Sequence, residues 1–314
     1  MTSPNGRFAF GRSKSINSVL WFLMFTLFSS FAFAAKTPIL IFSKTRGFRE
    51  DNIVATKKIL KVYWDAKSFV VDTTEDSTVF NDANLAKYKA VIFLKTSGTI
   101  LSGPQKTAFE KYIRGGGGYV GIHSALDTEY GWPFYGELIS GAWFKDLAPL
   151  GTIFTVRVTD TAHISTRNLP ASWSRSDEVY TFKANPRGYA NTKILADVDE
   201  STYSVAPAKK MGGDHPISWY RTIDLGRCWV TALGHTTASY SEPNFLEHIT
   251  GGLLYATQLD APTGILRKNK SGFFFEGYNA IESLSAKAKI SGGEKPFWMI
   301  SKGQGNYIAN GKAF

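Results

Sequence analysis

Two histidines stand directly after apolar runs: His123 after Tyr119 to Ile122, and His235 after Cys228 to Leu233 and a glycine. Imidazole gains and loses a proton near neutral pH, so a histidine at the end of a strand is a first candidate for acid–base work. Glu178, in the polar group Arg175, Asp177, Glu178 and Tyr180, could act as a base or orient a histidine. His123, Glu178 and His235 are therefore the catalytic candidates. Ser124 would need a base within hydrogen-bond reach to serve as a nucleophile, and is assigned to substrate binding. Its surroundings, Gly121-Ile122-His123-Ser124-Ala125, resemble a nucleophile elbow without the second glycine.

Binding candidates surround these residues. Asp127, Glu129, Tyr130, Trp132, Tyr135 and Trp143 crowd the segment after Ser124. Carboxylates can bond sugar hydroxyls and aromatic rings can stack on apolar sugar faces. Asp127, Tyr130 and Trp132 are assigned to that role, with Tyr135 and Trp143 read as core. Asp177, and Asp214 with His215 in Gly213-Asp214-His215-Pro216, are further polar candidates. Lys44 and Arg49, in the loop Ser43 to Glu50, could receive a carboxylate or phosphate, but no P-loop spacing is present. Zinc accepts histidine and carboxylate ligands. No H-x-x-x-H or H-E-x-x-H spacing occurs, so the sequence alone assigns no metal ligand. His163 and His248 read as structural or solvated.

The elements that must position these residues are short and alternate in type. Apolar runs at Pro38–Ser43, Ser68–Val71, Ala90–Leu94 and Tyr119–Ile122 read as buried strands. Helical spacing over Asp51–Trp64 and Pro104–Arg114 falls between them, and Gly115 to Gly118 stops the second helix. This alternation predicts βαβ units and a parallel sheet, whose ligands bind at the carboxyl ends of the strands. Thr152–Val158, Glu178–Phe182, Lys193–Val198, Ile217–Arg221 and Cys228–Leu233 are further strands, some forming an antiparallel extension, and Pro243–Ala256 is a closing helix.

Residues 1–34 read as a secretory signal. Arg7, Arg12 and Lys14 precede the apolar run Val19 to Phe28, and Ala32-Phe33-Ala34 fits a cleavage site. The expectation is an exported protein, periplasmic or extracellular, with no stable membrane span after cleavage. Its net charge of +10 comes from scattered basic residues, three of them inside the signal, so no nucleic-acid partner is expected. Cys228, the single cysteine, excludes an intramolecular disulfide and reads as a buried strand residue. The body spans 35–260, and 261–314 is an extension without a recognisable role.

Several separate runs, in one order over about residues 38–257, resemble the ThuA-like, or trehalose-utilisation, family. They are Phe42-Ser43-Lys44-Thr45 with Gly47-Phe48-Arg49, Gly117 to Lys145, Trp173 to Glu178, Asp214-His215-Pro216-Ile217, and Ala232-Leu233-Gly234-His235-Thr236. The resemblance implies a flavodoxin-like fold of the class I glutamine amidotransferase type, and a role in metabolism of trehalose or keto-sugar derivatives. Those amidotransferases carry a cysteine at the elbow; His123 and Ser124 stand here, so glutamine hydrolysis is not expected. The chain departs from the family twice. Gly47-Phe48-Arg49 is followed by Glu50 where the family usually has histidine, and Phe144-Lys145 is followed by Asp146-Leu147-Ala148-Pro149 without the histidine often found there.

The combined expectation is an α/β, flavodoxin-like, mostly parallel sheet flanked by helices with antiparallel additions. The expected activity is that of a carbohydrate-processing hydrolase, lyase or isomerase using histidine and carboxylate chemistry on a glycoside or keto-sugar. A non-catalytic sugar-binding module and a metal-dependent hydrolase, using a divalent metal such as zinc, remain as alternatives.

Overall fold

The computed structural model describes residues 36–260, and beyond them only the strands Ile265–Asn269, Gly272–Glu276, Trp298–Ile300, Tyr307–Ala309 and Lys312–Ala313. The signal-like segment 1–34 lies outside the described residues. The first half of the chain follows the predicted alternation: β1 Thr37–Phe42, α1 Ile53–Asp65, β2 Phe69–Thr74, the short α2 Asp82–Leu85, β3 Ala90–Leu94, α3 Gly103–Arg114, β4 Gly118–Ile122 and α4 Pro133–Leu138. Then come β5 Phe144–Val158, β6 Ser172–Phe182, β7 Lys193–Asp199, β8 Pro216–Ile223, β9 Gly226–Thr231 and the closing helix α5 Pro243–Ala256.

The nine strands form one sheet in the order β2-β1-β3-β4-β9-β8-β7-β5-β6. The pairings from β2 through β9 are parallel. Those from β9 outward to β6 are antiparallel. The order β2-β1-β3-β4-β9 is a flavodoxin-like half, and β8, β7, β5 and β6 are the antiparallel additions that extend it. β3 and β4 are buried at every position, which is why their sequences run apolar without alternation. Phe93 of β3 stacks on Phe109 of α3 and meets Phe42, Phe80, Tyr119 and Tyr135, so one aromatic cluster ties three strands to their covering helices. Trp64 of α1 donates to Thr250 Oγ1 of α5 at 3.1 Å and fixes those two helices together. Cys228 is buried in β9, as its apolar run implied.

Two strands are longer than the sequence pattern indicated. β5 starts at Phe144 rather than Thr152, because its pairing with β6 breaks register between Phe144 and Asp146 and between Ala148 and Thr152. Those irregularities, with Pro149 and Gly151 in the second, hide the two-residue period. β6 starts at Ser172 rather than Glu178. Its alternation is intact, with Ser172, Ser174 and Ser176 outside, but Trp173, Arg175 and Asp177 occupy the buried positions. Those inward charges interrupt the apolar alternation that marks a strand.

Candidate functional site

The carboxyl ends of β3, β4 and β9 lie side by side, and each is followed by a residue in the left-handed region. These are Lys95 at φ 54°, His123 at φ 56° and Gly234 at φ 112°. Left-handed backbone costs an ordinary side chain about 1–2 kcal/mol, so Lys95 and His123 are held there by their surroundings. The reversal turns each chain away from its strand and aims the following groups at one spot. Gly234 has a second reason to lack a side chain: a Cβ there would lie 2.9 Å from both Phe245 Cζ and Tyr240 Oη.

His123 is wholly buried. Its Nδ1 lies 2.9 Å from the carbonyl oxygen of Ala232, so Nδ1–H donates there and Nε2 points the other way. Around Nε2 stand His235 Nδ1 at 3.1 Å and Tyr180 Oη at 3.1 Å. Glu178 Oε2 and Glu50 Oε1 are each 3.5 Å away. His235 Nδ1 is also 3.2 Å from Glu178 Oε2 and 3.7 Å from Glu50 Oε2. Two imidazoles and two carboxylates therefore converge, with His235 and Glu178 partly exposed and His123 and Glu50 closed off.

The site draws on distant parts of the sheet. β6 is five places from β4 in strand order, yet Tyr180 and Glu178 touch His123, so the antiparallel extension folds back over the strand ends. Glu178 sits between Asp177, paired with Thr152, and Val179, paired with Ala148, opposite the extra residues of β5. Asp177 is wholly buried and takes the backbone N–H groups of Gly234 at 2.8 Å and His235 at 3.0 Å. Arg175 balances its charge at 2.7 Å. Asp177 thus fixes the His235 turn rather than facing the cluster itself.

Lys95 supplies the opposite charge. Its wholly buried ammonium reaches Glu50 Oε2 at 2.7 Å, Asn52 Oδ1 at 2.5 Å and the carbonyl oxygen of His235 at 2.5 Å. All three N–H donors are used. Burial lowers the lysine pKa, and Glu50 opposes that fall only in part. Ser124 donates to Glu50 Oε1 at 3.0 Å, so its hydroxyl holds a carboxylate and is not set up as a nucleophile beside a base.

Burial by itself would lower the pKa of His123, but Glu50, Glu178 and Asp177 outweigh it and the net shift is upward. Burial by itself would raise that of Glu178, but its bonds to His123 and His235 bring it down to about 2. The cluster therefore favours a negative Glu178 beside a positive imidazole.

The three catalytic candidates read from sequence come together here, with Ser124 and Asp177 as their immediate supports. Tyr130 and Asp127 form a neighbouring pair at 2.6 Å, with Tyr130 part-exposed, stacked on Trp143 and covered by the Lys183 ammonium. Burial raises the Asp127 pKa. Trp132 packs in the core against Phe134 and Tyr135. Asp214 is exposed and paired with Arg187. His215 is buried between Glu200 Oε1 and the carbonyl oxygen of Tyr180. Arg49 pairs with Glu75 at the surface, and Lys44 donates to Ser77 and lines a separate cleft of about 620 Å³ with Arg46, Thr99 and Gln105.

Sequence reasoning missed Glu50, Lys95 and Asn52 as members of the site. Glu50 had a signal, since it replaces a histidine of the resembling pattern in a loop already placed at the ligand-bearing edge. Lys95 directly follows the apolar run Ala90–Leu94, the same position that singled out His123.

A family model described as trehalose utilisation, ThuA, matches residues 38–256. Among solved structures, a ThuA-like protein from Bacteroides uniformis is 22% identical, with 78% of this chain and 97% of that one covered and a TM-score of 0.62. A ThuA-like protein from Parabacteroides merdae is 18% identical, with 77% and 98% covered and a TM-score of 0.58. At these identities the two structures support the fold alone. No curated protein matches the sequence.

Proposed function

The chain belongs to the trehalose-utilisation (ThuA) family, and from that premise we propose that it is an exported enzyme acting on a glycoside or keto-sugar through the His123, His235 and Glu178 cluster. The convergence of these three groups carries the reading. His235 and Glu178 are the members within reach of a ligand, and His123 exchanges a proton with His235 across 3.1 Å. Glu178, held as a carboxylate, steadies positive charge on the imidazoles as the proton moves. Tyr130 and Asp127, bonded to each other beside Trp143 and Lys183, offer a hydroxyl and a carboxyl group for sugar hydroxyls. Export rests on the charge pattern, apolar run and cleavage site in residues 1–34.

The test is incubation with a panel of disaccharides and their 3-keto derivatives, followed by product analysis. His123→Ala and His235→Ala should each lower turnover by about 10²–10⁴-fold while the protein stays folded. Near-normal turnover in both would overturn the assignment. Sugar binding without product in the unaltered protein would mark a binding module instead.

A further inference from the structure

His123 Nε2, His235 Nδ1 and one Glu50 oxygen all lie within 4.8 Å of one another. The His123–His235 and His123–Glu50 separations are 3.1 and 3.5 Å. The Glu178 carboxylate lies 3.2 Å from His235 and 3.5 Å from His123 on the same arrangement. A tetrahedral zinc ion with ligands about 2.0–2.1 Å away sets its donors about 3.3–3.4 Å apart. The His123–His235, His123–Glu50 and His235–Glu50 separations of 3.1, 3.5 and 3.7 Å bracket that edge. Nδ1 of His123 is engaged by the Ala232 carbonyl, so the nitrogen turned toward the carboxylates is the one whose lone pair is free to bind a cation.

We propose that Glu50, His123 and His235 hold one divalent metal ion of the zinc class, with Glu178 beside the open fourth position.

The groups behind each donor are those a metal site needs. Outer partners orient ligands and set their basicity. Ser124 and Lys95 hold the two oxygens of Glu50. Ala232 fixes the ring of His123. Asp177 grips the backbone N–H groups of Gly234 and His235, while Asn52 and Lys95 both donate to the His235 carbonyl. Two imidazole nitrogens and a carboxylate form a borderline set that suits zinc better than calcium or magnesium, which prefer all-oxygen shells. The charge also favours an ion: two carboxylates face the centre and Lys95 offsets one of them. This inference goes beyond the proton-transfer reading, because with an ion bound the two histidines serve as ligands and Glu178 is left for acid–base work.

The full chain, stripped with a chelator, is equilibrated with Zn²⁺, desalted and assayed for metal per mole. Co²⁺ is added in parallel for its visible absorption. The expected result is about one equivalent of zinc and a tetrahedral Co²⁺ spectrum. Glu50→Gln, His123→Ala and His235→Ala should lose both, and His215→Gln should keep both. Ser124→Ala, which leaves every ligand in place, should weaken zinc binding by about 10–100-fold. Near-ultraviolet circular dichroism confirms that each variant is folded. Folded protein that retains no zinc, or ligand variants that all retain an equivalent, would overturn the proposal. No sugar is involved, so the outcome is independent of turnover: a zinc-free active enzyme removes the metal and leaves the acid–base reading, and a zinc-loaded inactive one does the reverse.

Discussion

Two buried histidines in this fold each face a glutamate, and they differ in what else they meet. His215 has Glu200 on one nitrogen at 2.8 Å and the Tyr180 carbonyl oxygen on the other at 2.7 Å. Glu200 is in turn filled by the backbone N–H groups of Met211, Gly212 and Gly213. The network is closed, and its evident work is to pin the loop between β7 and β8. His123 spends one nitrogen on Ala232 and points the other at two carboxylates, a histidine and a tyrosine hydroxyl. Acceptors outnumber donors there, so the spot calls for a proton or a cation. Buried polar groups are ordinarily satisfied, and a shared deficit marks a place where something is exchanged.

The comparison can be pressed hardest at Lys95, the cation that keeps the open cluster from being wholly negative. Lys95→Met leaves Glu50 buried without its ion-pair partner and should destabilise the fold by about 3–5 kcal/mol, read from urea denaturation. A stability change near zero would mean that the cluster is already neutralised some other way. His248 tests the closed case by pH. It is wholly buried between Ser165 and Ser218, and burial holds its pKa down to about 4. An unfolded histidine titrates near 6.5, so the unfolded chain takes up the proton first as pH falls. Stability contributed by the neutral ring is complete above about pH 6.5 and is lost on the way down to about pH 4, on the order of 3 kcal/mol in all. His248→Gln should flatten that acid limb of the melting temperature, and an unchanged slope would show that other groups govern it. The smallest effect is expected at His215. His215→Gln should cost about 1–3 kcal/mol and leave turnover within a few-fold, because it breaks a supporting network only. A large loss of turnover at unchanged stability would erase the distinction between the two histidines.

Much of the fold was legible because its signals are local. Continuous apolar runs marked β1, β3 and β4, and helical spacing with Pro104 near its start marked α3. β6 was cut short because Arg175 and Asp177 fill inward positions where a strand normally shows apolar side chains. Within the site, His123, His235 and Glu178 were legible from their place at strand ends or in a polar run. Lys95 was not, since a single lysine after a strand reads as solvated surface. Trp132, grouped with the binding aromatics, lies in the core, because an indole in a turn looks the same in sequence whether it faces ligand or protein.

By itself the sequence determined the parallel half-sheet, the helix that closes it, the family and the two histidines at strand ends. Hydrophobic period and short motifs encode these within a few neighbouring residues. Only the tertiary structure decided that Glu50, from the first loop, and Glu178, from an edge strand, share one spot with both histidines. That choice depends on the fold-back of β6 over β4 and β9 and on the left-handed turns at Lys95, His123 and Gly234. Contacts between residues more than a hundred positions apart leave no local pattern, and they set which buried groups are satisfied and which are left open.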